Sequence, residues 1–292
     1  MHHALITGAR GFTGAYIVDE LARAGYQVVG TCAGETPQDG ERQLDITSLA
    51  DCRKVIDEVR PRFIVHLAAI SFVAHDVPLD MYHVNVIGTL NLLQACADVG
   101  HRPDKILITS SANVYGNADG VIDEGVTPMP VNHYAASKLA MECLVRTWFD
   151  RLPIVIVRPF NYTGRGQSAR FLIPKIVTHF VDRRPVIELG NLDVARDFSD
   201  VRTVARLYRA LLESSAASEI VNVCSGTPHT LQEVLQMVRE ASRHDLEVRV
   251  NPAFVRENEV KILVGSPKKL QMIVPDVHPV DIRSTIDWMV NG

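Results

Sequence analysis

Short unbroken apolar runs alternate with helical periods along the first half of the chain. Residues 4–7, 26–29, 63–66, 105–109 and 154–157 read as strands, because aliphatic and β-branched residues follow one another with little polar alternation. Such a run is apolar on both faces, which marks a strand buried inside a parallel sheet. Apolar positions recur at helical spacing over 12–24, 49–59, 78–99 and 134–149, with Thr47 or Ser48 as the cap of the second. Strands that alternate with helices imply right-handed crossovers and a sheet covered on both faces. The expected fold class is α/β, with a doubly wound parallel sheet.

The texture changes after Arg158. Residues 159–167 read as a loop with Gly164 and Gly166, and Pro174, Pro185, Pro228, Pro252, Pro267, Pro275 and Pro279 punctuate the rest of the chain. Short elements among frequent breakers suggest a smaller lobe over the carboxyl edge of the sheet. Residues 219–223 read as a strand that returns to the main sheet. The expected division is therefore 1–160 with 197–226 for the sheet domain, and 161–196 with 227–292 for the lobe. No repeat or linker separates them, so close packing is expected.

Composition narrows the function. The 292 residues are 47% hydrophobic and 22% charged, enough for a real core under a polar surface. A net charge of -4 argues against nucleic acid or a polybasic membrane contact as partner. The apolar run 63–74 carries His66 and Ser71 and is too short to span a bilayer. The start lacks a basic leader and apolar core, so no signal peptide is expected. Cys32, Cys52, Cys96, Cys143 and Cys224 have no redox or zinc spacing. They read as reduced and mostly buried, which fits a cytoplasmic protein that binds no metal.

The first candidate site is Thr7-Gly8-Ala9-Arg10-Gly11-Phe12-Thr13-Gly14, between a strand and a helix. Gly8 permits the tight turn, Gly11 admits a pyrophosphate, and Gly14 lets helix and strand pack closely. The helix N-terminus adds unpaired N–H groups and a positive dipole end. A dinucleotide fits this place. An acid at the end of the second strand would favour NAD(H), but that end reads Gly30-Thr31-Cys32, with Glu35 a little beyond. Arg10 lies where it would meet a 2′-phosphate. NADP(H) is therefore favoured modestly over NAD(H).

The second candidate site is Tyr134-Ala135-Ala136-Ser137-Lys138, which puts a phenol and an ammonium on one helix face. A phenol near its ordinary pKa of about 10 is a poor proton donor and acceptor at neutral pH, and a nearby cation would lower it. Ser111 follows the strand 105–109 at the carboxyl edge, where its hydroxyl would hold a substrate oxygen. His66 and His75 read as packing or pocket-lining residues.

These features together resemble a known family. The glycine loop, His66-Leu67-Ala68-Ala69, Asn85 with Gly88-Thr89, residues 110–116 (Ser-Ser-Ala-Asn-Val-Tyr-Gly) and Tyr134 with Lys138 are similar to extended short-chain dehydrogenase/reductases acting on nucleotide sugars. The resemblance runs over essentially the whole chain and implies a Rossmann sheet with a smaller C-terminal substrate-binding lobe. Residues 158–167, 190–198 and 222–226 resemble the branch that reduces GDP-4-keto-6-deoxyhexoses. The resemblance implies catalytic roles for Ser111, Tyr134 and Lys138. It implies cofactor contacts from Gly8, Arg10, Gly11, Phe12, Gly14, Asp45, Ile46, Leu67, Ala68, Ala69, Tyr134 and Lys138. It implies substrate contacts from Ser111, Asn113, Asn161, Lys175, Arg196 and Arg256, with Glu259 near the ribose. The arginines suit phosphate, which a guanidinium fork matches.

One departure bears on the reaction. The 4,6-dehydratases of this family carry acidic residues after the catalytic serine or threonine, where this chain has Ala112 and Asn113. Without a carboxylate, loss of the C6 hydroxyl lacks its acid–base pair. The expected activity is reduction of the C4 ketone of a nucleotide-diphosphate 4-keto-6-deoxyhexose, GDP before dTDP. A nucleotide-sugar 4-epimerase with retained NAD is the alternative, and a cofactor-sensing regulator a more distant one. The helices at 78–99 and 134–149 carry Met81, Val84, Leu92 and Leu93, and Leu139, Met141, Leu144, Val145 and Trp148. That exceeds the stripe a helix needs against a sheet, so a homodimer through a four-helix bundle is expected.

Overall fold

The computed structural model describes residues 3–34, 36–71, 77–255 and 260–292. In the first half, β1 (His3–Thr7), α1 (Phe12–Arg23), β2 (Gln27–Cys32), β3 (Glu41–Gln43), α2 (Leu49–Val59) and β4 (Phe63–His66) come first. They are followed by α3 (Pro78–Tyr82), α4 (Gly88–Asp98), β5 (Lys105–Thr109), β6 (Gly120–Ile122), α5 (His133–Arg146) and β7 (Ile154–Pro159). The second half begins with β8 (Asn161–Thr163), α6 (Leu172–Val181), β9 (Val186–Leu189), β10 (Ala195–Asp200), α7 (Val201–Glu213) and β11 (Glu219–Val223). It ends with β12 (Pro228–Thr230), α8 (Leu231–Ser242), β13 (Glu247–Val250), β14 (Ile262–Gly265), α9 (Lys268–Ile273) and α10 (Ile282–Asn291).

Seven strands form one sheet in the order β11-β7-β5-β4-β1-β2-β3, with every pairing parallel. The apolar runs explain why both faces are covered. Leu5, Ile64, Ile106, Ile108, Ile154 and Ile156 meet α2, α4 and α5 on one face. Ala4, Ile6, Val65, Leu107, Val155 and Val157 meet α1 and α7 on the other. Succession along the chain reverses between β1 and β4, and this switch point opens a crevice at the carboxyl ends of the strands. The strand expected to return, β11, pairs with β7 at the sheet's edge. The short β3 was not legible as a strand, since three polar residues carry no apolar pattern.

Later elements build a second layer over that edge. A mixed sheet runs β12-β10-β14-β6, with β8 also paired to β10, and β13 pairs β9. Their own core lies among α6, α8 and α10, around Phe180, Val234, Leu235 and Ile286. Among the described residues no helix is long and apolar enough to cross a membrane.

Two expectations about the helices need correction. The segment 78–99 is not one α-helix: His83–Ile87 form a π-helical turn between α3 and α4. Most of the apolar residues counted as surplus on 78–99 and 134–149 are covered inside the chain. Met81, Leu92, Leu93, Met141, Val145 and Trp148 are buried, and Val84 and Leu144 pack against that core. The pattern counted a second apolar face as unpartnered, but α2, α4 and α5 also pack on one another.

A buried ion pair ties α5 to the sheet. Glu142 Oε1 accepts from Arg158 Nε at 2.9 Å and Oε2 from Nη2 at 2.6 Å, with both side chains under 5% exposed. Ser110 also donates to Glu142, and Arg158 donates to the Tyr115 hydroxyl, which donates to Asn222. Removing one partner of such a pair strands the other charge in the interior. Arg158→Met is therefore expected to cost about 3–5 kcal/mol in urea unfolding, most of it recovered in Glu142→Met/Arg158→Met. An Arg158→Met protein as stable as the parent would show that the pair does not hold the helix.

Candidate active site

The turn after β1 is built by close backbone approach. Gly8 has φ +71°, and a Cβ there would lie 2.9 Å from the Ala68 nitrogen. A Cβ on Gly14 would meet the Gly8 carbonyl at 2.3 Å. The turn closes through Gly11 N–H to the Gly8 carbonyl, and α1 starts at Phe12. Its first N–H groups and the glycine backbone form a cradle that a larger residue would fill, and a pyrophosphate fits it.

A relay of side chains fixes the neighbouring loop after β4. The Thr7 hydroxyl accepts from the Leu67 and Ala68 N–H groups at 3.2 and 3.1 Å. It donates to His66 Nδ1 at 2.7 Å, because Nε2 must carry the ring proton. That protonation is set by Thr89, whose hydroxyl donates to the Asn85 carbonyl and so accepts from Nε2 at 3.0 Å. Burial holds the His66 pKa down at about 3, so the ring stays neutral. Asn85 sits in the π-helical turn, pairs with both backbone groups of Ile70, and donates to Ser137 on α5. His66 is thus a structural bridge, as expected, while His75 lies outside the described residues.

Ser111 and Tyr134 come together at the crevice from different elements. Ser111 caps the turn Ala112–Tyr115, its oxygen accepting from Asn113 N–H at 3.2 Å. Asn132 caps α5 and fixes the start of the helix that carries Tyr134 and Lys138. Burial pushes the Tyr134 phenol up to about 12, and its hydrogen bond with the Ser111 hydroxyl pulls the other way. Lys138 donates to the Thr109 carbonyl at 2.7 Å. Burial lowers its ammonium to about 8, opposed by the charge of Glu142. In the chain alone, burial sets the direction of the phenol's shift.

A cavity of about 500 Å³ brings most candidates together. Gly8, Gly11, Phe12, Gly14, Leu67, Ala68, Ala69, Ser111, Asn113, Tyr134, Lys138 and Asn161 all line it. Thr13 and Tyr162 line it too, joined by a 2.8 Å hydroxyl contact that sequence reasoning missed. Those two are 149 positions apart, so no local pattern announces the contact.

Other candidates lie elsewhere. Asp45 is exposed and accepts from Thr47, while Ile46 is buried against Gly88. Lys175 on α6 donates to the Glu188 carbonyl and covers the Phe254 ring, and Arg196 on β10 donates to the Ala195 carbonyl. None of these four lines the cavity. Arg10 does not line it either, and its guanidinium is held by Glu41. Arg256, Glu259 and Glu35 lie outside the described residues.

Residues 4–224 match the family described as NAD dependent epimerase/dehydratase family. The chain belongs to that family. Membership makes it an NAD(P)-dependent oxidoreductase of nucleotide-sugar chemistry, as its sequence resemblance implied. The GDP-6-deoxy-D-talose 4-dehydrogenase of Aggregatibacter actinomycetemcomitans is 35% identical over 98% of this chain and 96% of that protein. The GDP-6-deoxy-D-mannose reductase of Pseudomonas aeruginosa is 34% identical over 72% of this chain and 73% of that one. The structure of RMD from Pseudomonas aeruginosa complexed with NADPH superposes with TM-score 0.88, at 28% identity over 99% and 96% of the two chains. The family's Rossmann sheet and the doubly wound sheet seen here agree.

The lowered Lys138 gives a pH signature. Below pH 8 the folded and unfolded chains both hold the proton, and the fold bears the cost of burying it. Between pH 8 and the ordinary 10.5, only the unfolded chain stays protonated. Stability relative to Lys138→Met should therefore rise by about 3 kcal/mol from pH 7 to pH 10.5. Urea unfolding of both proteins at the two pH values checks this, and a constant difference would refute it.

Proposed function

We propose that this enzyme reduces the C4 ketone of a nucleotide-diphosphate 4-keto-6-deoxyhexose to a 6-deoxyhexose of rhamnose or 6-deoxytalose type. GDP is the favoured nucleotide, supported by the relatives' names and by the resemblance of residues 158–167 and 190–198. The observation that carries the reading is the cavity where the glycine cradle, Ser111, Tyr134 and Lys138 face one space. A nicotinamide cofactor held in that cradle would supply the hydride. Tyr134 then gives its proton to the C4 oxygen, and a phenol held high by burial is a stable donor at neutral pH. Ser111 holds that oxygen, its hydroxyl already aligned with Tyr134. Lys138 positions the cofactor ribose while anchored to the Thr109 carbonyl. Asn113 and Asn161 meet the sugar or its phosphates, with Lys175, Arg196, Arg256 and Glu259 assigned to the nucleotide by resemblance. Residues 161–196 and 227–292 would form the lobe that binds it.

Ala112 and Asn113 support reduction over dehydration. Ala112 is buried in a small apolar cluster and Asn113 has no titratable group, so neither supplies the acid or base that elimination needs. The 4-epimerase with retained NAD is separated by stoichiometry, since it consumes no cofactor. We place the enzyme in the cytoplasm, which suits buried free thiols at Cys32, Cys52, Cys96 and Cys224. A homodimer through the segments 78–99 and 134–149 stays part of the proposal, supported by the exposed Leu79 and Ile87. Light scattering that gives a monomer mass at micromolar concentration would reject it.

Incubation with GDP- and dTDP-4-keto-6-deoxyhexoses plus reduced cofactor tests the reaction. Absorbance should fall in step with a 6-deoxyhexose product seen by NMR, faster with GDP. Interconversion of C4 hydroxyl epimers without loss of absorbance would support the epimerase instead. Tyr134→Phe keeps the ring and loses the proton donor, so turnover should fall by roughly 10²–10⁴ with the melting temperature little changed. Near-normal turnover would remove Tyr134 from this role. GDP-mannose or dTDP-glucose with oxidised cofactor should give no 4-keto-6-deoxy product by mass spectrometry.

A further inference from the structure

Thr109 ends β5 at the wall of the cavity. Its carbonyl accepts from Lys138 Nζ at 2.7 Å. Side chains alternate along a strand. Ile106 and Ile108 pack on the α5 side of the sheet and Leu107 on the α7 side, so the Thr109 side chain turns toward α7 as well. It meets Tyr208 there, a fully buried residue of α7. Tyr162 of β8 packs against the same cluster.

The Thr109 and Tyr208 hydroxyls are both orphaned. Each oxygen is buried, and the two are neighbours without reaching hydrogen-bond geometry. Neither has another partner among the described residues. An unpaired polar group in the interior is costly, and phenylalanine in place of Tyr208 would fill the same space without that cost. A hydroxyl kept there calls for a use beyond packing. Three phenols come together at this place. Tyr134 and Tyr162 line the cavity. Burial holds the Tyr208 phenol well above its ordinary value, and charge on Tyr162 or Tyr134 would raise it further. The Tyr162 hydroxyl is engaged with Thr13 at 2.8 Å, and that of Tyr134 with Ser111. Lys138, the titratable cation on the same helix as Tyr134, is held at the Thr109 carbonyl. Of these hydroxyls, those of Tyr208 and Thr109 are uncommitted.

We propose that Tyr208, with Thr109 beside it, is a positioning residue whose hydroxyl turns toward Tyr134 and steadies the charge left there by proton transfer. This role presupposes the reduction proposed above. As hydride reaches C4, the Tyr134 O–H bond breaks and its proton forms the new O–H bond on the C4 oxygen. Tyr134 is left as a phenolate until a solvent proton restores it. An O–H dipole aimed at such a charge is worth more in a water-poor interior than in water. An unpaired hydroxyl turns to meet the charge at once, whereas an engaged one must first give up its partner. Tyr208 does not line the cavity, so it acts through Tyr134 and not on the substrate.

Fluorine NMR of the whole protein labelled with 3-fluorotyrosine tests this without substrate. The label reports each of the seven tyrosines and brings phenol ionisation to lower pH, and Tyr134→Phe assigns the Tyr134 signal. In Tyr208→Phe the Tyr134 phenol should ionise roughly half to one unit higher than in the parent, since a donor to the charged form is lost. Thr109→Val, which keeps the backbone carbonyl for Lys138, should shift it in the same direction. The melting temperature of Tyr208→Phe should equal or exceed the parent's, because an orphaned hydroxyl is removed. Its turnover of the 4-keto-6-deoxyhexose should fall roughly three- to tenfold, less than the 10²–10³ lost with a donor in direct contact. An unchanged Tyr134 ionisation in Tyr208→Phe would overturn the proposal, and a lowered melting temperature beside it would mark the hydroxyl as structural. Absence of 4-keto reduction in the parent would instead strike the proposed reaction, while the titration still decides what Tyr208 does to Tyr134.

Discussion

The geometry of the candidate site depends on the buried pair between Glu142 and Arg158. Glu142 lies one turn beyond Lys138 on α5, and Arg158 stands near the carboxyl end of β7, next to the edge strand β11. Their bidentate contact fixes how far α5 slides along the sheet, and with it the height of Tyr134 and Lys138 above the carboxyl edge. Ser110 shares the same carboxylate, so the strand end that presents Ser111 is tied to the same anchor. Arg158 reaches on through Tyr115 to Asn222 on β11. A buried network of this sort is costly unless every member is satisfied, and here each charged oxygen and nitrogen is directed at a partner.

The other side of the crevice is set by a neutral counterpart. Thr7, His66, Thr89 and Asn85 pass hydrogen bonds from β1 to the loop after β4 and on to the helix at 83–98. The π-helical turn has a reason in this frame. Such turns often accompany functional sites, and here the turn carries Asn85 to both backbone groups of Ile70 while Gly88 comes to rest on Ile46. The neutral His66 matters electrostatically. A protonated ring would repel the Lys138 ammonium, whose charge already contributes to keeping the His66 pKa low.

Between these two anchors the reactive groups occupy a mostly apolar, partly closed space. Burial there raises a phenol and lowers an ammonium, and both effects favour the uncharged form. A proton donor and a tunable lysine arise from one environment.

The sequence by itself determined the layer architecture and singled out the candidate side chains that the structure brings to one cavity. Unbroken apolar runs such as Ala4-Leu5-Ile6 allow only strands buried on both faces, and glycines at 8, 11 and 14 after a strand demand a turn that nothing larger can make. Ser111, Tyr134 and Lys138 were legible because each sits at a strand end or one helical turn from another, distances that local geometry fixes. What tertiary structure decided lies in contacts between distant segments. One partner of Arg10 is Glu41, 31 positions away on a strand too short and polar to announce itself. The partner of Thr13 is Tyr162, and the apolar faces that seemed to want a second subunit are largely covered by neighbouring helices of the same chain. Periodicity reports which face of an element is apolar; only the packed chain decides which neighbour covers it and which charges meet.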